Sequence, residues 1–305
     1  MRQGLAESGP QSTALPVEIG FLAHHGHAPE ALHQAAILAQ WEGVTADEFL
    51  LKHGLIDENT FYRALAAELQ LPFLAVPRLS SATQYPGSIL AGLAPLARAE
   101  RGFVLAPRGA SLAHLLKSRP RAHPFAITTP AQLAKAVFQA KAPLIAHRAA
   151  FDLPRRAPDL SARDGISLLQ LSGLSGAAML LSFGSVLAPG LTLSVLGAAM
   201  SLLFLGTIVL RLAASLLKNP VEPAAPLPRI EDAALPVYTV IVALYREKRI
   251  AARLIDALTR IDYPPAKLDI KLVLEADDRE TLEALGSVSL PGNMEVMIAP
   301  KGEPR

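Results

Sequence analysis

The chain contains no cysteine. That absence excludes disulfides, thiolate metal sites and cysteine nucleophiles, and it leaves the redox compartment undetermined. Charge of one sign is also lacking. The 29 Lys and Arg against 27 Asp and Glu leave a net charge of +2, too little to imply a nucleic-acid partner, although a pI near 8.9 suits work beside anionic lipid. The opening MRQGLAESGPQSTALPVEIG has no apolar core long enough for a secretory signal. Any targeting information must then lie further along.

It lies in the stretch Ile166 to Leu210, which has no Asp, Glu, Lys, Arg or His. A helix needs roughly 20 apolar residues to cross the hydrocarbon core. This run supplies two such lengths around Ala188-Pro189-Gly190, which predicts a transmembrane hairpin with spans 166–187 and 191–212. One unbroken helix of that length would reach about 68 Å, over twice the roughly 30 Å of a bilayer core. Basic residues near span ends stay on the cytoplasmic side. Arg155, Arg156 and Arg163 precede the first span, Arg211 and Lys218 follow the second, and the turn is uncharged. Both chain ends are therefore expected in the cytoplasm, with the lipid bilayer as a partner. Ser172 and Gly176, and Gly173 and Ala177, have the four-residue spacing of close helix packing, which is also common in membrane helices generally.

Ahead of the hairpin, residues 1–29 are Gly/Pro-rich and aperiodic and read as a flexible leader. His24, His25 and His27 cluster there without further fixed ligands for a metal. From Pro29 the apolar period becomes helical. Leu32, Ala36 and Ala39 share a face before Gly43, and Thr45 with Glu48 has capping-box spacing before a helix ending at Gly54. Asp57 caps a third helix whose stripe is Phe61, Leu65 and Leu69. The short runs Phe103–Leu105 and Phe125–Ile127 read as strands, and Thr129-Pro130 opens another helix. An α+β module over 30–147 follows, then a basic juxtamembrane linker at 148–165.

Beyond the membrane, 213–235 is a Pro-rich linker, NPVEPAAPLPRIEDAALP at its centre. Residues 236–305 then read as an α/β domain. Val237–Leu244 is a nearly continuous apolar run, as in a buried central strand. A helix carries Ile250, Leu254, Leu258 and Ile261, and the strand LDIKLVLEA, the helix RETLEALGS and the strand NMEVMIAP follow. This βαβαβ order implies parallel strands with ligands beyond their carboxyl ends. Tyr245, Glu247, Asp277 and Asp278 sit there. A carboxylate can accept hydrogen bonds from a uracil imide or ribose, and an aromatic ring can pack on a base. Asp278 equally fits a plain helix N-cap.

Two resemblances extend this reading. LLKHGLIDENTFYRALAAELQLPFL, with LAPLARAERGFVLAPRG and FAITTPAQLAKAV, resembles the N-terminal domain of type II secretion and type IV pilus assembly ATPases. Some members of that family bind cyclic di-GMP through their first helices. This chain reads AQWEGVTADEFL where an Arg-Leu-Gly opening would stand, so a protein-docking module is the alternative. Leu50, Gly54, Leu55 and Leu65 are expected in the helix core under either.

The segment PVYTVIVALYREKRIAARLIDALTRIDYPPAKLDIKLVLEADDRETLEAL resembles the start of a family-2, cellulose-synthase-like glycosyltransferase of GT-A fold. The resemblance implies an incomplete Rossmann-like parallel sheet and an inverting transfer from a UDP-sugar donor to a glycan acceptor in polysaccharide synthesis. It places Tyr245, Glu247 and Asp277 on the donor nucleotide, with Asp278 supporting. Arg246 replaces the usual Asn or Lys, and Glu275 is a further candidate. The family's Asp-x-Asp ligands for Mg or Mn, its general base and its acceptor motif do not occur in this chain. A divalent metal is thus expected only for a full-length enzyme, with no catalytic residue among those present. The alternative is a membrane-anchored docking adaptor with a vestigial transferase half-domain.

Overall fold

The fold is given by a computed structural model that describes residues 14–97, 102–118, 124–163, 165–217 and 230–301. Two compact units emerge, one formed by 1–150 with 230–305 and the other by 151–229.

In the first unit, α1 (Val17–Gly20) and a 3-10 turn at Phe21–His25 lie within the segment expected to be a flexible leader. Ile19, Phe21 and Leu22 are buried there, so this part of the leader belongs to the core. Its few apolar residues are too closely spaced to show a helical period. Helices α2 (Pro29–Glu42), α3 (Ala46–Lys52) and α4 (Glu58–Leu69) follow. α2 buries Leu32, Ala35, Ala36 and Ala39 and ends on Gly43 at φ +68°, the left-handed conformation glycine adopts without steric cost. The Asp57 carboxylate accepts from the Thr60 N–H at 3.0 Å and caps α4. The capping box predicted at Thr45 does not form, because Thr45 makes no side-chain cap bond. Leu50 and Leu65 are buried, whereas Leu55 is 60% exposed in the loop after α3 and does not join the helix core.

Next come α5 (Gly87–Ala91), β1 (Leu93–Pro95), β2 (Phe103–Leu105), α6 (Gly109–Ser118), β3 (Phe125–Ile127), α7 (Pro130–Ala140) and α8 (Ala142–Arg156). β2 pairs antiparallel with β1 and parallel with β3. Thr129 caps α7 through the Gln132 N–H at 3.1 Å. The basic linker expected from 148 onward is therefore helical as far as Arg156.

The second unit contains α9 (Leu168–Leu187) and α10 (Pro189–Leu216), both long and apolar enough to cross a membrane. α10 runs past the predicted end of its span and past Arg211. Ser167 and Gln170 form a reciprocal capping box at the start of α9. The expected small-residue packing is absent, since Gly173 and Gly176 have open space beside them. Closest approach comes at the turn instead, where a Cβ on Gly184 would sit 2.9 Å from Thr192 Oγ1. Lys218, invoked for orientation, and most of the Pro-rich linker lie outside the described residues.

The chain rejoins the first unit as β4 (Tyr238–Leu244), α11 (Ala251–Thr259), β5 (Leu268–Glu275), α12 (Arg279–Gly286) and β6 (Met294–Ala299). The three strands are parallel in the order β4-β5-β6. β5 is the central strand, not β4. The apolar run at Val237–Leu244 lies at a sheet edge, with Tyr238 and Ile241 exposed, while Leu268, Ile270, Leu272 and Leu274 of β5 are buried under α11 and α12. α11 turns Ala251 and Ile255 inward, flanked by Leu254 and Leu258, and Ile261 is exposed beyond its end.

Candidate functional site

At the carboxyl end of β4 the buried Leu244 is followed by Tyr245-Arg246-Glu247, and at the end of β5 Glu275 leads into Asp277 and Asp278. Arg246 takes φ +58°, which turns its backbone N–H toward Asp278. That N–H donates to Asp278 Oδ2 at 2.6 Å, while Asp278 Oδ1 accepts from the Thr281 N–H at 3.1 Å. The Glu247 N–H donates to Thr281 Oγ1 at 3.0 Å. One buried carboxylate thus caps α12 and ties the two strand-end loops together. Desolvation pushes the Asp278 pKa up, but the Thr281 hydroxyl and the Arg246 and Thr281 N–H groups outweigh it and hold it below the usual aspartate range.

The four predicted nucleotide contacts divide in this geometry. Asp278 is 5% exposed with both oxygens engaged, so it braces the site and does not present a free acceptor. Tyr245 is 41% exposed, with the Arg246 guanidinium 5.0 Å above its ring. Glu247 and Asp277 are exposed. Asp277 and Glu275 border a cavity of about 620 Å3 whose apolar walls include Ile241, Val273 and Met297 of the sheet and Phe138 and Ile145 of α7 and α8. Tyr245 and Glu247 do not line it. All four residues share one end of the sheet but not one pocket.

Sequence reasoning missed two features here. The left-handed Arg246 carries no residue-type signal, because glycine or asparagine would ordinarily mark such a position. Thr281, three residues beyond Asp278, was visible in capping terms only. At the opposite end, Lys52 Nζ of α3 lies 2.7 Å from Asp269 Oδ1, and Lys271 Nζ lies 3.2 Å from Asp269 Oδ2 and also bonds Glu295. Spacing could not reveal these pairs, since 217 residues separate Lys52 from Asp269.

Among the described residues there is no group of three or more His, Asp or Glu arranged to hold a metal ion. His24 and His25 instead approach Glu68 at 3.4 and 3.8 Å. The residues described thus do not fit the divalent cation expected of a full-length transferase. None of the family models, curated proteins or solved structures compared with this chain matches it.

Proposed function

We propose that this chain is the membrane-anchored, donor-binding portion of a family-2-like glycosyltransferase of the bacterial cell membrane, working with a UDP-sugar and a glycan acceptor. The observation that supports this reading is the pair of strand-end loops tied by Asp278, which keeps Tyr245, Glu247 and Asp277 at the carboxyl end of a parallel sheet. Ligands of such sheets bind there. Tyr245 would pack on the uracil ring and Asp277 would accept from the imide or ribose. The GT-A identity of the sheet, the multi-pass topology and the cytoplasmic ends belong to the same proposal. Residues 1–305 are expected to bind nucleotide without turning it over, because the family's general-base motif does not occur among them.

The test is a calorimetric titration of UDP and UDP-glucose into the detergent-solubilised chain. Binding that weakens about tenfold in Asp277→Ala and in Tyr245→Ala is the expected result. No heat at millimolar UDP would overturn the reading. Cyclic di-GMP titrated into the same sample decides whether the N-terminal module is its sensor or only a protein-docking platform.

A further inference from the structure

The part ahead of the membrane hairpin and the part after it have separate cores. Among the described residues, Ile19 through Val137 build one set of clusters, Leu244 through Met294 another, and no buried apolar residue belongs to both. What joins them is polar. Lys52 at the last turn of α3 pairs with Asp269 at the start of β5, and the charges alternate onward through Lys271 to Glu295 on β6. Beside this ladder Gly292 lies so close to the end of α3 that any Cβ would overlap the Leu51 carbonyl. The α2 C-cap at Gly43 rests on Ala233, and Lys267, 3% exposed, donates to the carbonyls of Asp232, Ala233 and Leu235 at 2.7 to 2.8 Å. The returning chain is thereby pinned.

The contact leaves open clefts, one of about 530 Å3 beside Lys52, Asp269 and Gly292 and others further along. Clefts of about 510 to 620 Å3 remain between α7 and β6, and one of them reaches α8 and the sheet face that carries Ile241 and Val273. A packed domain core leaves few voids larger than a water molecule, whereas polar, incompletely packed contacts are characteristic of domains that separate and rejoin. From this we infer that the N-terminal module is a reversible cis partner of the half-domain, latched by the Lys52–Asp269–Lys271–Glu295 ladder and covering the sheet's second face only while latched. The occupant of that face is the module of the same chain. Nothing in the inference depends on a nucleotide, so it stands or falls apart from the sugar-transfer reading.

The absence of cysteine makes the test clean. In the full detergent-solubilised chain, Leu55→Cys and Ser289→Cys place two thiols on either side of the Gly54–Gly292 approach. A short bis-maleimide bridges them, and cleavage at a protease site introduced within 219–229 then reports whether the two fragments stay joined. Joined fragments of monomer mass are expected at 0.15 M NaCl. The yield should fall at least fivefold in Lys52→Glu or in 1 M NaCl, and should return in the Lys52→Glu, Asp269→Lys double variant, which also guards against simple misfolding. An unchanged yield in Lys52→Glu, no recovery in the double variant, or bridged dimers in place of monomers would each overturn the proposal.

Discussion

Asp278 carries more of the site's architecture than any other side chain, because three backbone N–H donors, those of Arg246, Glu247 and Thr281, converge on it or on the Thr281 it caps. Replacing it with asparagine keeps the shape but weakens acceptance from two N–H groups. Asp278→Asn should lower the unfolding midpoint by about a few degrees and raise amide exchange at Arg246 and Thr281, read by hydrogen–deuterium exchange. The pH dependence has a definite sign. Its folded pKa lies below the ordinary aspartate value of about 3.9, so its stabilisation is fully present above that value and is lost as pH falls through the depressed one. The same Asp278→Asn substitution should abolish this acid component of the stability profile, measured by denaturant melts below pH 5.

Among the elements, α9 and α10 come close together near their turn, at Gly184 against Thr192. Gly184→Leu should splay the helices near the turn. Paired cysteines at Leu181 and Leu196, both lining the same inter-helix hollow, should then cross-link several-fold less than in the parent hairpin. Elements with a strong local signal were legible in the sequence. α2, α4 and α7 announce themselves by apolar spacing and by caps at Gly43, Asp57 and Thr129, and β5 by alternation that places Leu268, Ile270, Leu272 and Leu274 inward. What stayed illegible depends on partners distant in sequence. An apolar run such as Val237–Leu244 does not reveal whether a neighbour pairs on both sides, and β4 proves to be an edge. For the same reason Asp277 and Asp278, adjacent in sequence, could not be told apart as exposed acceptor and buried brace.

At the scale of the whole molecule, both flanks of the hairpin carry arginine, Arg155, Arg156 and Arg163 before it and Arg211 after it. Single cysteines at Gly190 and at Ser289 should therefore react oppositely with a membrane-impermeant maleimide in intact cells, Gly190→Cys labelled and Ser289→Cys protected. The reverse pattern would invert the topology. The ladder between the module and the half-domain has its own pH signature. Desolvation raises the Asp269 pKa but Lys52 and Lys271 outweigh it, leaving it low; burial lowers that of Lys271 but Glu295 and Asp269 outweigh it, leaving it high. The Asp269 contribution is lost only as pH falls through its depressed value, and the Lys271 contribution only as pH rises through its elevated one. Neither residue titrates between pH 5 and 9, so neither makes the latch pH-dependent there, whereas salt screens it.

The first unit is built from two stretches of chain, one ending at Ala150 and one starting at Ile230, and α9 and α10 lie between them in sequence. Domains generally fold as they emerge from the ribosome, amino end first. The N-terminal module and the hairpin are therefore synthesised before β5 and β6 exist. Asp269 and Gly292, which meet α3, are made after α9 and α10. The unit is thus completed only after α9 and α10 have been synthesised, and a nascent chain stalled before β5 would present a module that still lacks its partner.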